Sequence, residues 1–351
     1  MRSLRVGDRP VLLLVAEPVD KAGGILTLTR LMAEQLRRYR PVRVISRSGG
    51  VNWSTACSAS KGSTPRFIAQ TLEHAARTRG ADVVATHLNL APLAVVGARV
   101  ARGRFVLVLH GQELRVARTR TRCWSARHAN LAVAVSQATA REGREKLRLP
   151  AGCIHVVIPG VDLHAGDARR APSSPVRLVT VTRLVEAYKN VDSVIGALRE
   201  PPLSSAHLTV VGDGPCRPAL ENLASRLGVA DRVWFAGTVD HSTLQTIYRD
   251  GDLFVLPSTG EGFGLVYAEA MAHGLPCVGA RGCGSEDAIV DGSTGRFVDE
   301  ARPETVARAA AWLLDPRRYA SISAQAVDRV RGELHADAFG RRLLAVFDGV
   351  E

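Results

Sequence analysis

The sequence predicts an α/β protein made of two doubly wound domains of similar size. Three observations carry this. The chain has 351 residues, 46% of them hydrophobic, which suits about two packed cores. Short apolar runs alternate with longer amphipathic segments through both halves, the pattern of parallel sheets covered by helices. Between the halves lies "DARRAPSSP" (residues 167–175), polar, rich in proline and without periodicity, which reads as a linker.

In order along the first half, strands are expected at residues 11–16, 42–46, 83–86, 105–109, 131–135 and 154–158. Helices are expected at 26–38 and 67–79. The first apolar run, "PVLLLVA", is short and ends in Glu17-Pro18, so it reads as a buried strand and not as a signal peptide. In the second half, strands are expected at 177–181, 208–211, 233–236, 253–256 and 276–278. A helix is expected from 265 to 273, stopped by Gly274. No run approaches the roughly 18 apolar residues of a membrane span. The six cysteines form no C-x-x-C pair and have no histidine at metal spacing, which suggests reduced thiols in a cytoplasmic protein.

The net charge of +12 is unevenly placed. Residues 1–162 hold 26 Lys and Arg against 10 Asp and Glu, whereas residues 163–351 hold 20 against 24. The basic half therefore expects an acidic partner: nucleic acid, anionic lipid or a phosphorylated substrate. Arg-rich codon usage is the alternative. Within that half, "RVARTRTRCWSARH" (residues 115–128) contributes Arg115, Arg118, Arg120, Arg122, Arg127 and Trp124. It reads either as a solvated loop or as a surface for a membrane or a phosphate-bearing acceptor.

In doubly wound sheets ligands bind beyond the carboxyl ends of the strands, so residues just after strands matter most. "PSTGEGFGLVYAEAMAHGLP" (residues 257–276) puts Glu261 in a glycine-rich loop and Glu269 in the helix that follows. Glycines let a backbone approach a ligand closely, and a helix N-terminus favours anionic oxygen. Carboxylates in such a place suit sugar diols. The competing reading is that Glu261 complements the helix dipole and Glu269 is a solvated helix residue. "VTRLVEAYKN" (residues 181–190) places Arg183 and Lys189 in a strand-to-helix loop, where two cations can hold a diphosphate. "VDKAGGILTLTR" (residues 19–30) carries Gly23-Gly24 before a helix, a phosphate-approach loop or a simple turn. "VLVLHGQE" (residues 106–113) ends a strand at His110, able to bond a hydroxyl or serve as acid or base, while His87 in "VVATHL" reads as structural.

These motifs, with "VSQAT" (135–139), "VGDGP" (211–215), "VWFAG" (233–237) and "EDAIVDGSTG" (286–295), stand in an order and spacing that resembles a retaining nucleotide-sugar glycosyltransferase of family 4. The resemblance spans nearly the whole chain. It implies the GT-B fold, with an acceptor-binding domain at 1–165 and a donor-binding domain at 166–335 facing across a cleft. A last helix within 336–351 would cross back to the first domain. By resemblance, Arg183 and Lys189 hold the donor diphosphate with help from Gly23 and Gly24, and Glu269 bonds the ribose. Glu261, with the backbone of Gly262, Phe263, Gly264 and Leu265, bonds the donor sugar. His110 touches that sugar near the reacting carbon, and the base lies near Val233 to Gly237 above "VGDGP". Two motifs depart from the family pattern: "VIPGVDL" (157–163) lacks the usual asparagine before glycine, and the aromatic-rich terminal motif is reduced to "HADAF" (335–339).

The expected reaction moves a hexosyl group from a donor such as GDP-mannose or a UDP-sugar to an acceptor hydroxyl with retention. The acceptor would be a glycan, a lipid-linked saccharide or a glycolipid of envelope polysaccharide synthesis. No D-x-D element stands where a metal would be held, so a metal-independent reaction with no cofactor is expected, the cations and helix dipoles taking that place. No first-half acid stands out as a nucleophile, which favours front-face attack. An anionic membrane surface is an expected partner and nucleic acid is not, since no nucleic-acid motif explains the four site residues. The alternatives are transfer to a soluble secondary metabolite and a sugar-nucleotide 2-epimerase of the same fold, which would not need the paired glutamates.

Overall fold

The computed structural model describes residues 9–16, 23–48, 57–115, 119–163 and 165–349. The chain divides into two compact units, residues 1–160 with 336–351, and residues 161–335. The first contains β1 (Val11–Val15), α1 (Gly24–Arg37), β2 (Val42–Ser46), β3 (Cys57–Ala59), α2 (Thr64–Arg77) and β4 (Asp82–Ala85). It continues through α3 (Ala91–Ala101), β5 (Phe105–Leu109), α4 (Arg120–Ala126), β6 (Leu131–Ala134), α5 (Gln137–Leu147) and β7 (Ile154–Val156). The second unit has β8 (Arg177–Val181), α6 (Val191–Ala197), β9 (His207–Val211), α7 (Arg217–Arg226), β10 (Val233–Gly237) and α8 (His241–Asp250). There follow β11 (Leu253–Val255), α9 (Leu265–Ala272), β12 (Cys277–Ala280), α10 (Ser285–Ala288), β13 (Gly295–Val298), α11 (Pro303–Leu313) and α12 (Pro316–Gly332). The final helix, α13 (Ala336–Asp348), belongs to the first unit.

Each unit holds one parallel sheet, ordered β3-β2-β1-β4-β5-β6-β7 in the first and β10-β9-β8-β11-β12-β13 in the second. The central strands are buried on both faces, which is why β1 and β5 read as unbroken apolar runs. In each sheet the winding reverses once, between β1 and β4 and between β8 and β11. Those are the topological switch points where open α/β sheets bind ligands.

Two strands escape the periodicity. β3 and β13 lie at the sheet edges and are three and four residues long. Pairing with β2 and β12 defines them, not an apolar run of their own. Helix α2 starts three residues earlier than its apolar pattern, because Ser63 caps it, accepting from the Arg66 amide, with a proline in the first turn. "VSQAT" is likewise a cap: the Ser136 hydroxyl accepts the Thr139 amide at 3.0 Å and opens α5.

The segment expected to be a linker is instead fastened to the second unit. Arg169 donates to the carbonyls of His273 (3.1 Å) and Tyr248 (3.1 Å), and its amide donates to Ser323. The Ser173 and Arg177 amides both donate to Asp252. Polar composition marked the stretch as irregular, but every one of these partners is distant in sequence. The division between units falls earlier, at 160/161.

Helix α13 crosses back and packs on α1. Arg38 pairs with Asp337 at 2.6 Å, Arg104 donates to the Phe347 carbonyl, and Arg342 to the Ile158 carbonyl. Behind these lies Asp82, 0% exposed, at the start of β4. Arg104 holds it through two hydrogen bonds, Arg40 lies at 3.3 Å, and Arg9 at 3.8 Å. Arg40 also pairs with Asp348 of α13, so one buried carboxylate ties the start of the central strands to the returning helix.

Candidate functional site

In the second unit, β8 and β11 are adjacent and parallel, so the loops beyond their carboxyl ends are neighbours. Backbone and side chain sew them together: the Thr259 amide donates to the Tyr188 carbonyl, and Asn190 Nδ2 donates to the Pro257 carbonyl at 2.8 Å. The motifs at 181–190 and 257–265 are thereby one structure.

At its centre Lys189 Nζ donates to Glu261 Oε1 at 2.7 Å. Lys189 is 7% and Glu261 8% exposed. Glu261 therefore does not stand out from its glycine-rich loop: it is buried and paired. Burial explains the pairing, since either charge alone would carry a large desolvation cost. The ammonium also lies 5.0 Å from the centre of the Tyr188 ring. Arg183, six residues earlier, is exposed at the end of β8. With Lys189 paired to Glu261, Arg183 is an exposed cation of this loop, and Glu186 follows it three residues on.

Glu269 lies on α9 and is half-buried. Its Oε2 accepts from Tyr248 Oη at 3.0 Å, which removes the reading of Glu269 as a solvated helix residue. Burial pushes its carboxyl above the ordinary range, while the Tyr248 hydrogen bond and His241 act in the opposite direction. His273, at the end of α9, is lowered to about 4 by burial and by Arg249 and Arg169. It is neutral near pH 7, donates to Gln245 Oε1 at 2.7 Å and stacks on Tyr248.

The glycines have separate reasons. Gly264 takes φ +84° and opens α9 with no side-chain cap, and a Cβ there would strike the Tyr267 ring. A Cβ on Gly284 would overlap the Gly262 carbonyl, whose loop is further held by the Gly284 amide donating to Glu261 O at 2.9 Å. Phe263 and Leu265 are buried, so their side chains anchor the loop. In "VGDGP", Gly212 and Gly214 have positive φ and lie against the carbonyls of Thr182 and Leu184. The motif is the wall against which the Arg183 loop rests. Gly237 ends β10 with φ +66°, its carbonyl accepting the Gly212 amide, and Arg217 donates to the adjacent Phe235 carbonyl.

In the first unit Gly23 precedes α1 in extended backbone, and a Cβ there would meet nothing within 4 Å among the described residues. Gly24 is the first residue of the helix. Packing therefore does not demand glycine at position 23. His110 is 7% exposed beyond β5. Its Nε2 bonds the Thr86 carbonyl at 2.8 Å; a carbonyl only accepts, so Nε2 carries a proton. Glu113, which the sequence reading passed over, accepts the His110 amide through Oε1 at 2.7 Å. Its Oε2 has no hydrogen-bond partner among the described residues, and burial pushes the carboxyl up. His87 caps the following turn, accepting the Asn89 amide, in keeping with a structural role.

The basic segment is part helix. Arg118 lies outside the described residues. Arg120, Arg122 and Trp124 lie on α4, with Trp124 50% exposed and its ring 4.1 Å from that of His128 at a tilt of 45°. Arg115 is exposed and pairs with Glu142. Among the described residues no helix is long and apolar enough to cross a membrane, and no His, Cys, Asp or Glu cluster has metal-site geometry.

Residues 22–165 match "Glycosyltransferase Family 4" and residues 175–316 match "Glycosyl transferases group 1". The chain is 33% identical over 264 residues to a GDP-mannose-dependent alpha-(1-6)-phosphatidylinositol monomannoside mannosyltransferase of Mycolicibacterium smegmatis, covering 66% of this chain and 67% of that one. The chain belongs to glycosyltransferase family 4. It is also 37% identical over 226 residues to D-inositol 3-phosphate glycosyltransferase 2 of Catenulispora acidiphila, with 58% of this chain and 51% of that protein aligned. Against that protein and its Thermomonospora curvata counterpart (56%), the chain spans about half the relative's length. Among solved structures, Anabaena HepE in complex with UDP superposes with a TM-score of 0.79 at 20% identity, covering 94% of this chain and 97% of that one. The lipopolysaccharide outer core galactosyltransferase WaaB superposes at 0.71 and 16%, covering 96% and 98%. The fold of the family 4 chain is GT-B.

Proposed function

We propose that this family 4 member is a retaining, metal-independent hexosyltransferase using a nucleoside-diphosphate sugar. The observation that carries the reading is the buried Lys189–Glu261 pair at the switch point of the second sheet, with Glu269 on the helix that follows the Glu261 loop. Lys189 and Arg183 would take the diphosphate and stabilise the charge that grows on it as the glycosidic bond breaks. Glu261 would accept hydroxyls of the transferred sugar, and Glu269 those of the ribose. The bond between the anomeric carbon and the phosphate oxygen breaks with its electron pair passing to the diphosphate. The acceptor oxygen bonds the same face of that carbon, and its proton passes to a leaving-phosphate oxygen. His110 would touch the transferred sugar near the reacting carbon, and Gly23-Gly24 would bring backbone close to a phosphate.

HepE was solved with UDP and with UDP-glucose, and the mycobacterial relative is named for GDP-mannose, which supports the donor class without choosing the base. A panel of UDP- and GDP-sugars is expected to yield one that raises the melting temperature, with EDTA changing neither binding nor transfer. A ligand at a hundredfold over its Kd adds about 2.7 kcal/mol to the state it binds. If no nucleotide sugar stabilises the protein, the donor-site reading is wrong.

For the acceptor we propose a phosphate-bearing or lipid-linked saccharide of envelope polysaccharide synthesis, met at the cytoplasmic face of a membrane. The relatives named for inositol phosphate and for a phosphatidylinositol mannoside support that chemistry. So does α4, with Trp124 exposed among arginines, packed beside α3, which exposes Val96, Val100 and Arg99. In liposome sedimentation the protein should bind phosphatidylglycerol vesicles and release as salt rises, with Trp124→Ala weakening capture. Absence of salt-sensitive binding removes the membrane partner and leaves a soluble acceptor.

A further inference from the structure

We propose that Tyr248 is a positioning residue that aims the Glu269 carboxyl at the ribose and so makes the donor site prefer ribonucleotides to 2′-deoxyribonucleotides. This rests on the reading of Glu269 as the ribose-binding acid and names the group that orients it.

Tyr248 is 0% exposed and fixed at three points. Its ring stacks on His273 at 5.7 Å with 12° between planes and meets Phe254 at 6.1 Å. Its carbonyl accepts from Arg169, and its hydroxyl donates to Glu269 Oε2. The stacking partner is itself held, because neutral His273 donates to Gln245. A phenol so enclosed has a single hydroxyl direction, whereas a half-buried glutamate on a helix has three side-chain torsions to lose. The hydrogen bond thus transfers rigidity from the packed interior to the Glu269 carboxyl. Oε1, and the second lone pair of Oε2, then point where α9 presents them. A nucleotide lacking a ribose hydroxyl leaves the carboxyl so held under-bonded, and that is how a site rejects an analogue smaller by one hydroxyl. Tyr248 takes no part at the reacting carbon, so its contribution belongs to binding.

The test uses the full chain and calorimetric titration with UDP, GDP, their 2′-deoxy forms and pyrophosphate. The preferred ribonucleotide is expected to bind wild type at least about tenfold tighter than its 2′-deoxy form. In Tyr248→Phe that ratio should fall to within about threefold, with deoxynucleotide and pyrophosphate affinities unchanged. In donor hydrolysis, KM for the nucleotide sugar should rise while kcat holds, a split that general loss of structure does not produce. If Glu269→Ala removes the ribose preference and Tyr248→Phe keeps it, Tyr248 does not aim the acid and the proposal is overturned alone. If Glu269→Ala also keeps it, or neither UDP nor GDP binds, the underlying reading falls as well. Should Tyr248→Phe not fold, Glu269→Asp withdraws the carboxyl from the Tyr248 hydroxyl by one methylene. Retained preference in that variant overturns the proposal.

Discussion

Glu261→Ala is expected to reduce sugar transfer by at least about 100-fold, the scale of losing a group that acts on the reacting sugar. It should also destabilise the second unit, because Lys189 is left buried without its carboxylate. Removing one partner of a buried pair costs about 3–5 kcal/mol. The two effects separate if rates are expressed per folded molecule, with the folded fraction taken from circular dichroism. Lys189→Met in the same background removes the stranded charge, so it should restore stability while leaving transfer abolished. Wild-type-like turnover in Glu261→Ala would sink the assignment. Recovery of turnover along with stability in the double variant would overturn the roles given to both Glu261 and Lys189.

The largest effect on stability away from the donor site is expected at Asp82. Asp82→Ala takes one of two carboxylates from Arg40, whose side chain is almost wholly buried, and frees Arg104 from the start of β4. Those guanidiniums also reach Asp348 and the Phe347 carbonyl, so the docking of α13 should loosen with them. A loss of about 3–5 kcal/mol in the first unit is the expected scale. Scanning calorimetry should show one transition moving down while a nucleotide-stabilised transition stays in place. An unchanged thermogram would mean the arginines find water or other acceptors when Asp82 is gone. Hydrogen exchange of α13 amides would report the same loosening without thermal denaturation.

The long central strands and their helices were legible because two-sided burial writes an apolar run directly into the chain. β2, β5 and β8 carry the boundaries that the sequence predicts. Edge strands β3 and β13 left no such trace, being defined by a neighbour's hydrogen bonds. The chemistry-bearing residues were legible as types at strand ends, but not as partners. Arg183, Lys189, Glu261 and Glu269 could each be picked out, yet nothing in the spacing from 189 to 261 says that these two charges meet at 2.7 Å. Tyr248 left no signal at all, since it lies 21 residues before Glu269 on another helix. Glu113 was in plain view beside His110, but its direction, back onto the His110 amide, is a property of the turn.

The glutamates in "GEGFGLVYAEAMA" show where local sequence ends and tertiary structure begins. By itself the sequence determined the loop, the helix and the glycines that let backbone come close, because these depend on neighbours within a few residues. It left the purpose of the two acids open between helix-end electrostatics and a ligand grip. Tertiary structure decided their states: Glu261 buried against Lys189 from the loop after β8, and Glu269 tied to Tyr248 of α8. The physical reason is desolvation. A carboxylate taken out of water must find a donor, and the parallel order of β8 and β11 determines which donors lie within reach.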